Sequence, residues 1–261
     1  MTSTGDLDFP VRSIGTPIIR MGSVVSTMDV ARDLDRLGAG EGTTIVAARQ
    51  LQGRGRAGRI WQSPHATGLY CSILLRPRIP STAFQPMSIA AGLALCDALD
   101  PEQCLGLQIK WPNDVIVDGG KLAGILIATN IAGPSVESAV LGFGLNLAPD
   151  PCRPARAISL ADLGGATSDT SADLLSQITR ALQSRYEAIV GGDTDRALRD
   201  WDDRLAFLDE KVTIQDGPSA VTGRIIGLSS SGSLMLQTSA GPVSIVSGEM
   251  TRGPRLHAKL S

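Results

Sequence analysis

The sequence predicts an α+β chain in two units, a mixed strand–helix region over residues 17–207 and a small all-β barrel over residues 208–261, behind a polar segment of residues 1–16. Three observations carry this. Short apolar runs such as Thr44–Ala48 and Leu69–Leu75 alternate with helical stretches. Ser171–Val190 sets Leu174, Leu175, Ile178, Leu182, Tyr186 and Ile189 on one helical stripe. After Leu208 the pattern becomes short strands cut by turn clusters.

Composition narrows the function classes. A chain of 261 residues holds one large or two small domains and buries enough surface to need no staples. Its 43% hydrophobic and 19% charged residues are those of an ordinary soluble protein. A net charge of −2 gives no global attraction for nucleic acid, so any anion binding must be local. Cys71, Cys96, Cys104 and Cys152 form no CxxC pair and read as small residues of a reduced, cytoplasmic protein. Asp6 and Asp8 with no early apolar run argue against a signal peptide, and no apolar run reaches the ~18 residues of a membrane span. His65 and His257 are too few and too far apart for a zinc site and read as structural or surface residues.

In order, Pro17–Val25 reads as a strand, and Ser26-Thr27 as the cap of a helix over Met28–Leu37. Thr44–Ala48 is a buried strand. It leads into Arg49–Trp61, where four arginines (Arg49, Arg54, Arg56, Arg59) and three glycines (Gly53, Gly55, Gly58) fall within thirteen residues. Glycine lets a ligand approach the main chain, and arginine offers a fork of donors to carboxylates and phosphates. This loop is therefore read as an anion wrap held at both ends by strands; a solvated basic turn is the plainer alternative. Leu69–Leu75 is a strand, Pro77–Pro80 a turn, Pro86–Leu99 a deeply packed helix, and Leu107–Trp111 a strand that Pro112 ends. Val115–Val117, Asp118-Gly119-Gly120 and Lys121–Thr129 form a hairpin, and Ser138–Asn146 a further strand. Pro149–Pro154 is a surface loop. Thr170–Asp173 offers a capping-box start to the Ser171–Val190 helix, and 193–207 forms another helix with Trp201 and Phe207 as core candidates. Lys211–Gln215, Val221–Leu228, Ser233–Gln237 and Pro242–Ser247 are the barrel strands.

Lysine occurs only at 110, 121, 211 and 259. Two of these lie in Lys110-Trp111-Pro112-Asn113-Asp114 and Lys121-Leu122-Ala123-Gly124-Ile125-Leu126. Together with Gly53-Arg54-Gly55-Arg56-Ala57-Gly58-Arg59, in this order and spacing, they resemble the catalytic domain of biotin–protein ligases, over roughly residues 17–260. The resemblance implies a mixed-sheet, class II synthetase-like catalytic domain followed by an SH3-like barrel. It implies biotin contacts from Ser26, Thr27, Gln50, Gly53, Arg54, Gly55, Arg56, Lys121 and Gly124. It implies ATP or adenylate contacts from Arg54, Arg56, Arg59, Trp61, Asn113, Lys121 and Asn146, with Lys121 and Arg56 catalytic and Asp114 holding Mg²⁺. Met28 stands where the family has an asparagine, and Ala128-Thr129 where it commonly has a glutamate.

The activity implied is ATP-dependent formation of biotinyl-5′-AMP and transfer of biotin to a lysine of a biotin carboxyl carrier protein. The arginine loop is expected to order over the adenylate. A lipoate–protein ligase shares fold and chemistry and is the alternative; a nucleic-acid-binding protein using the arginine loop is a more distant one. About 25 residues before the Ser26-Thr27 step leave no room for a helix-turn-helix domain, so no DNA partner is expected, and no membrane partner. The strands identify no exposed edge, so the oligomeric state is open.

Overall fold

The structure, a computed structural model, describes residues 13–164 and 171–252. Its elements are β1 (Ile18–Val24), α1 (Thr27–Arg36), β2 (Thr44–Gln50), β3 (Gly53–Arg54), β4 (Ile60–Trp61), β5 (Gly68–Leu75), β6 (Ile79–Pro80), α2 (Ser81–Phe84), α3 (Met87–Leu99), β7 (Gln108–Lys110), β8 (Asp114–Val117), β9 (Gly120–Ala132) and β10 (Ser135–Asn146). They continue with α4 (Ser171–Val190), α5 (Thr194–Ala197), α6 (Trp201–Arg204), β11 (Lys211–Asp216), β12 (Ser219–Leu228), β13 (Leu234–Thr238), β14 (Gly241–Ile245) and β15 (Glu249–Arg252). The α+β class is as expected. Thr170 and His257 lie outside the described residues, and with them the expected capping box.

One mixed sheet organises the larger unit, in the order β1-β2-β5-β10-β9-β8-β7 with β6 beside β10. β1 pairs with β2 in parallel, and the other neighbours run antiparallel. Successive side chains on a strand point to opposite faces, and the packing follows that alternation. Ile45, Leu74 and Val140 pack with Met28 and Ala31 of α1. Their neighbours Val46, Ile73 and Leu141 belong to the large core on the other face, with Met87, Leu93, Leu175 and Tyr186 of α3 and α4. The sheet is therefore sandwiched between α1 and the α3–α4 pair. The Asp118-Gly119 turn joins β8 to β9 with φ of 49° and 77°, the left-handed pair a tight hairpin needs.

Several expectations are corrected. Residues 193–207 form no continuous helix: α5 and α6 are single turns separated by Asp200 at φ 67°. Asp193 caps α5, accepting from the Arg196 N–H at 3.0 Å, and Leu205 then bridges to Ile109. Of the polar N-terminal segment, Ile14 is core: its N–H donates to Gln183 Oε1 at 2.6 Å, and it is buried beside α4. One stretch, Ser81–Leu99, is after all long and apolar enough to cross a membrane by composition, but it comprises α2 and the core helix α3. The C-terminal strands form a five-stranded antiparallel sheet, β14-β13-β12-β11-β15. Its last strand is absent from the sequence reading, and no β14–β15 ladder closes it among the described residues.

The two units meet through specific contacts. Trp111 Nε1 donates to the Gly232 carbonyl at 3.2 Å, and the Trp201 ring lies against Gly227. Within the larger unit, Arg204 is buried with Asp100, at 3.1 Å, and donates to the Leu107 carbonyl as well, which fixes the α6 turn beside β7.

Candidate active site

The site grows from a missing row of side chains. On the α1 face of the sheet, β10 carries Gly142 and Gly144, and Gly144 pairs in register with Gly124 of β9. A Cβ on Gly144 would stand 2.4 Å from Trp61 Cε2, and one on Gly124 would stand 2.8 Å from Trp61 Cζ3. The two glycines thus clear a trough in which the Trp61 indole lies flat on the sheet. Gly142 clears the next place for Met28 in the same way, with a virtual Cβ 2.9 Å from Met28 Cγ. The resulting cavity is about 350 Å³, within the size range of small-molecule sites.

Its floor is a buried hydrogen-bond chain. Ser72 donates to Thr27 Oγ1 at 2.8 Å, and the Thr27 amide and hydroxyl donate to Gln50 Oε1 at 2.9 and 3.2 Å. Gln50 Nε2 donates to Ser63 Oγ at 3.3 Å. Ser26 caps α1 by accepting from the Met28 N–H at 3.3 Å, which leaves its own proton to give. Capping and presentation to the cavity are therefore compatible at Ser26.

The arginine stretch is a small hairpin, β3 against β4, turning through Ala57 at φ 52° and Gly58 at φ 73°. Its three arginines face different partners. Arg54 forms a two-pronged ion pair with Asp29 of α1 at 2.8 and 3.0 Å. Arg56 Nη1 points inward to Asn113 Oδ1 at 3.3 Å and to the Gly248 carbonyl at 3.4 Å. Burial lowers the Arg56 pKa, and the Asp114 carboxylate opposes that. Arg59 reaches Glu249 at 2.7 Å. The hairpin is thus held to α1 on one side and to the C-terminal sheet on the other.

Lys121 Nζ sits 2.6 Å from Asp114 Oδ1 and 5.2 Å from the Trp61 ring centre. Asp114 Oδ1 is buried and, beyond this close contact, has no aligned hydrogen-bond donor. Asn113 Nδ2 is fixed on the Ile125 carbonyl at 2.7 Å. Asn146 is buried, its Nδ2 spent on the carbonyls of Lys121 and Ile158, and its Oδ1 has no partner. A buried acceptor without a donor is costly unless a ligand supplies one.

Of the residues singled out from sequence, Ser26, Thr27, Gln50, Arg54, Gly55, Arg56, Arg59, Trp61, Asn113, Asp114, Lys121, Gly124 and Asn146 all line this one cavity. Gly53 does not. It is buried at the base of the hairpin, paired with Trp61, where a Cβ would stand 2.5 Å from the Trp61 carbonyl oxygen and 2.9 Å from Gln50 Nε2, so its service is to let the hairpin close. Trp61 is partly buried and forms part of the cavity wall. Met28, Arg153, Pro154, Arg156 and Ala157 also line the site and were not foreseen. Arg153 and Arg156 had only their charge to mark them inside a proline-rich loop. Ala128 packs toward α1 beside Val140 and Met28, an apolar place.

Comparison with known proteins now places the chain. The fold and site define a biotin/lipoate-type ligase: a model of the "Biotin/lipoate A/B protein ligase family" matches residues 22–146, and one of the "Biotin protein ligase C terminal domain" matches residues 207–253. The biotin--[acetyl-CoA-carboxylase] ligase of Mycobacterium tuberculosis is 37% identical over 191 residues, covering 67% of this chain and 69% of that one. That of Paracoccus denitrificans is 32% identical over 216 residues, covering 80% and 90%. The biotin protein ligase of Aquifex aeolicus, solved with biotin and ATP, superposes with a TM-score of 0.75 at 27% identity, covering 90% and 99%. The chain belongs to the biotin–protein ligase family.

Proposed function

We propose that the chain activates biotin with ATP as biotinyl-5′-AMP and transfers it to a lysine of a biotin carboxyl carrier protein. The observation that carries this reading is the convergence of Lys121, Arg56 and the unpartnered Asn146 oxygen on one cavity floored by glycine. The first step brings two anions together, the biotin carboxylate and the α-phosphate, so its barrier is electrostatic and positional. In this reading Lys121 and Arg56 supply the positive charge at that meeting point, and Arg54 and Arg59 flank it. Ser26, Thr27 and Gln50 hold the biotin end, while Trp61, Asn113 and Asn146 hold the nucleotide end, Asn146 Oδ1 accepting the proton its burial otherwise denies it. The attacking oxygen belongs to biotin and displaces pyrophosphate. In the second step the carrier's lysine amine attacks the acyl carbon and AMP leaves. The chain itself supplies no nucleophile and needs none.

Mg²⁺ fits one place. Asp114 is the cavity's carboxylate, its Oδ1 paired with Lys121 Nζ at 2.6 Å, and Mg²⁺ commonly takes one or two carboxylates together with substrate phosphates. Asp114 would hold it, and the ion would neutralise triphosphate charge. A cytoplasmic location suits a consumer of ATP with four free cysteines.

The test is ATP–pyrophosphate exchange with biotin, lipoate and octanoate offered in turn. Exchange dependent on biotin alone supports the reading, while exchange with lipoate or octanoate would move the substrate to the alternative acid. No exchange with any of them would sink it.

A further inference from the structure

Two loops, one following the cavity residues Trp61 and Gln62 and one preceding Arg153 and Arg156, bring together three side chains that the ligase chemistry does not use. His65 lies in the loop after β4, and Asp150 and Cys152 lie in the loop after β10. A ring nitrogen, a carboxylate oxygen and the thiol sulfur of these residues lie within 4.8 Å of one another. The Asp150 side chain is fully buried and held from three directions. It accepts from the Cys152 N–H at 2.9 Å and the Thr67 hydroxyl at 2.8 Å, and His65 Nδ1 approaches to 3.1 Å. Burial pushes the Asp150 carboxyl up, but these hydrogen bonds outweigh it and keep the group below its ordinary value, an anion at neutral pH. His65 and Cys152 are exposed. The nearby guanidinium of Arg153 does not pair with Asp150 directly but donates to the Thr67 carbonyl and hydroxyl oxygens at 2.8 and 3.0 Å and to the Ala148 carbonyl.

We propose that His65, Asp150 and Cys152 bind a borderline-soft divalent cation of the zinc type. An imidazole nitrogen, a thiolate and a carboxylate make the mixed donor set of an open tetrahedral zinc site, whose fourth position takes water; hard cations such as Mg²⁺ and Ca²⁺ avoid the sulfur. Donor atoms in such a site lie about 3.6 Å apart, given metal–ligand bonds of about 2.0–2.3 Å. Rotation of the two exposed side chains closes the difference, while Asp150 stays in place. Binding releases the thiol proton of Cys152. The ion would tie the loop leaving Trp61 and Gln62 to the loop leading into Arg153 and Arg156, all four on the cavity wall. The inference rests on this cluster alone and stands whether or not the ligase reading does.

Metal-free full-length chain titrated with Co²⁺, a spectroscopic stand-in for Zn²⁺, gives the test. The expected result is one equivalent bound, with thiolate-to-cobalt charge-transfer absorption and tetrahedral visible bands, all displaced by Zn²⁺. Cys152→Ser should abolish the charge-transfer band, and His65→Ala should weaken binding at least tenfold. Cys104→Ser, at the other exposed thiol, should change nothing. Zn²⁺ should raise the Tm of wild type and not of Cys152→Ser. No charge-transfer band in wild type would overturn the proposal, as would a band that survives Cys152→Ser or is lost in Cys104→Ser. Any of these three results would leave Asp150 as the cap of a turn only. The variants alter exposed side chains, and circular dichroism with an unchanged metal-free Tm verifies that each is folded.

Discussion

Replacing Gly144 with alanine tests the claim that missing side chains build the site. The added Cβ would meet Trp61 Cε2 at 2.4 Å, Nε1 at 2.6 Å and Cζ2 at 2.8 Å, where ordinary contact begins near 3.4 Å. The indole must therefore retreat by about an ångström, since the sheet backbone lies beneath it and the open side is the cavity. It must lift into the cavity. Overpacking costs about 1–3 kcal/mol in a closed core. Trp61 is only partly buried and has room above it, so the lower end applies, about 1 kcal/mol, or roughly 2–4 °C in Tm. If the same crowding is passed to the ligand, ATP binds about fivefold more weakly. Denaturant melts and the KM for ATP in pyrophosphate exchange report the two effects. A double-mutant cycle isolates the cause: in a Trp61→Ala background Gly144→Ala should be neutral within about 0.5 kcal/mol. Equal destabilisation in both backgrounds would refute the reasoning, since the strain would then not involve the indole.

Three further outcomes are expected. Lys121→Ala should lower biotin-dependent exchange by about 10²–10³ while leaving stability within about 1 kcal/mol, since its ion pair with Asp114 retains 38% and 20% side-chain exposure; near-normal exchange would remove Lys121 from the chemistry. Arg56→Gly should release biotinyl-AMP faster than wild type in a filter-trapping assay, since Arg56 joins the hairpin to Asn113 and Gly248, and equal release would end its shielding role. Asp100→Asn should cost about 3–5 kcal/mol at neutral pH by leaving Arg204 buried without its counterion. Burial pushes the Asp100 carboxyl up, but donors from Leu105, Arg204 and Cys104 outweigh it and keep the group below 3.8. A depressed carboxyl gives stability that is complete above its unfolded value and is lost as pH falls through the folded one. The acid limb of wild-type stability below about pH 3.8 should therefore flatten in the variant; parallel acid limbs in urea melts would show that Asp100 is not the titrating group.

Much of the site was legible because its chemistry needs unusual residues close together. Few roles other than anion binding call for arginines alternating with glycines between two strands, and a scarce lysine beside a tight Asp-Gly turn marks itself. Met28 is absent from the expected contacts because it stands where the family has an asparagine, yet its apolar side chain both packs with α1's core and lines the cavity. The resemblance assigns Gly53 to the ligand as a point of close backbone approach, but close packing of the hairpin on itself selects glycine just as strongly. The stretch 193–207 has helical composition, yet Asp200 adopts a left-handed conformation and tertiary contacts at Leu205 and Arg204 fix the chain in single turns. β15 is only Glu249–Arg252, too short for alternation to register, and it exists because β11 offers it an edge. His65 and Cys152 lie 87 positions apart in the chain (152 − 65), a separation from which no spacing rule could join them.

The alternation along β10 also decides what a misfolded chain could do. Gly142 and Gly144 face the cavity, while Leu141, Phe143 and Leu145 belong to the large core. A slip of one residue would exchange these sets, filling the trough with leucine and phenylalanine while opening holes beneath α3. Stability and ligand capacity would thus fail together, so a chain with this strand out of step has no partly working form. The β10–β9 pairing is irregular between Val136 and Ser138, at the start of the strand, and such irregularities pin register. It gives assembly of the sheet a single phase in which a folded molecule is also a competent one.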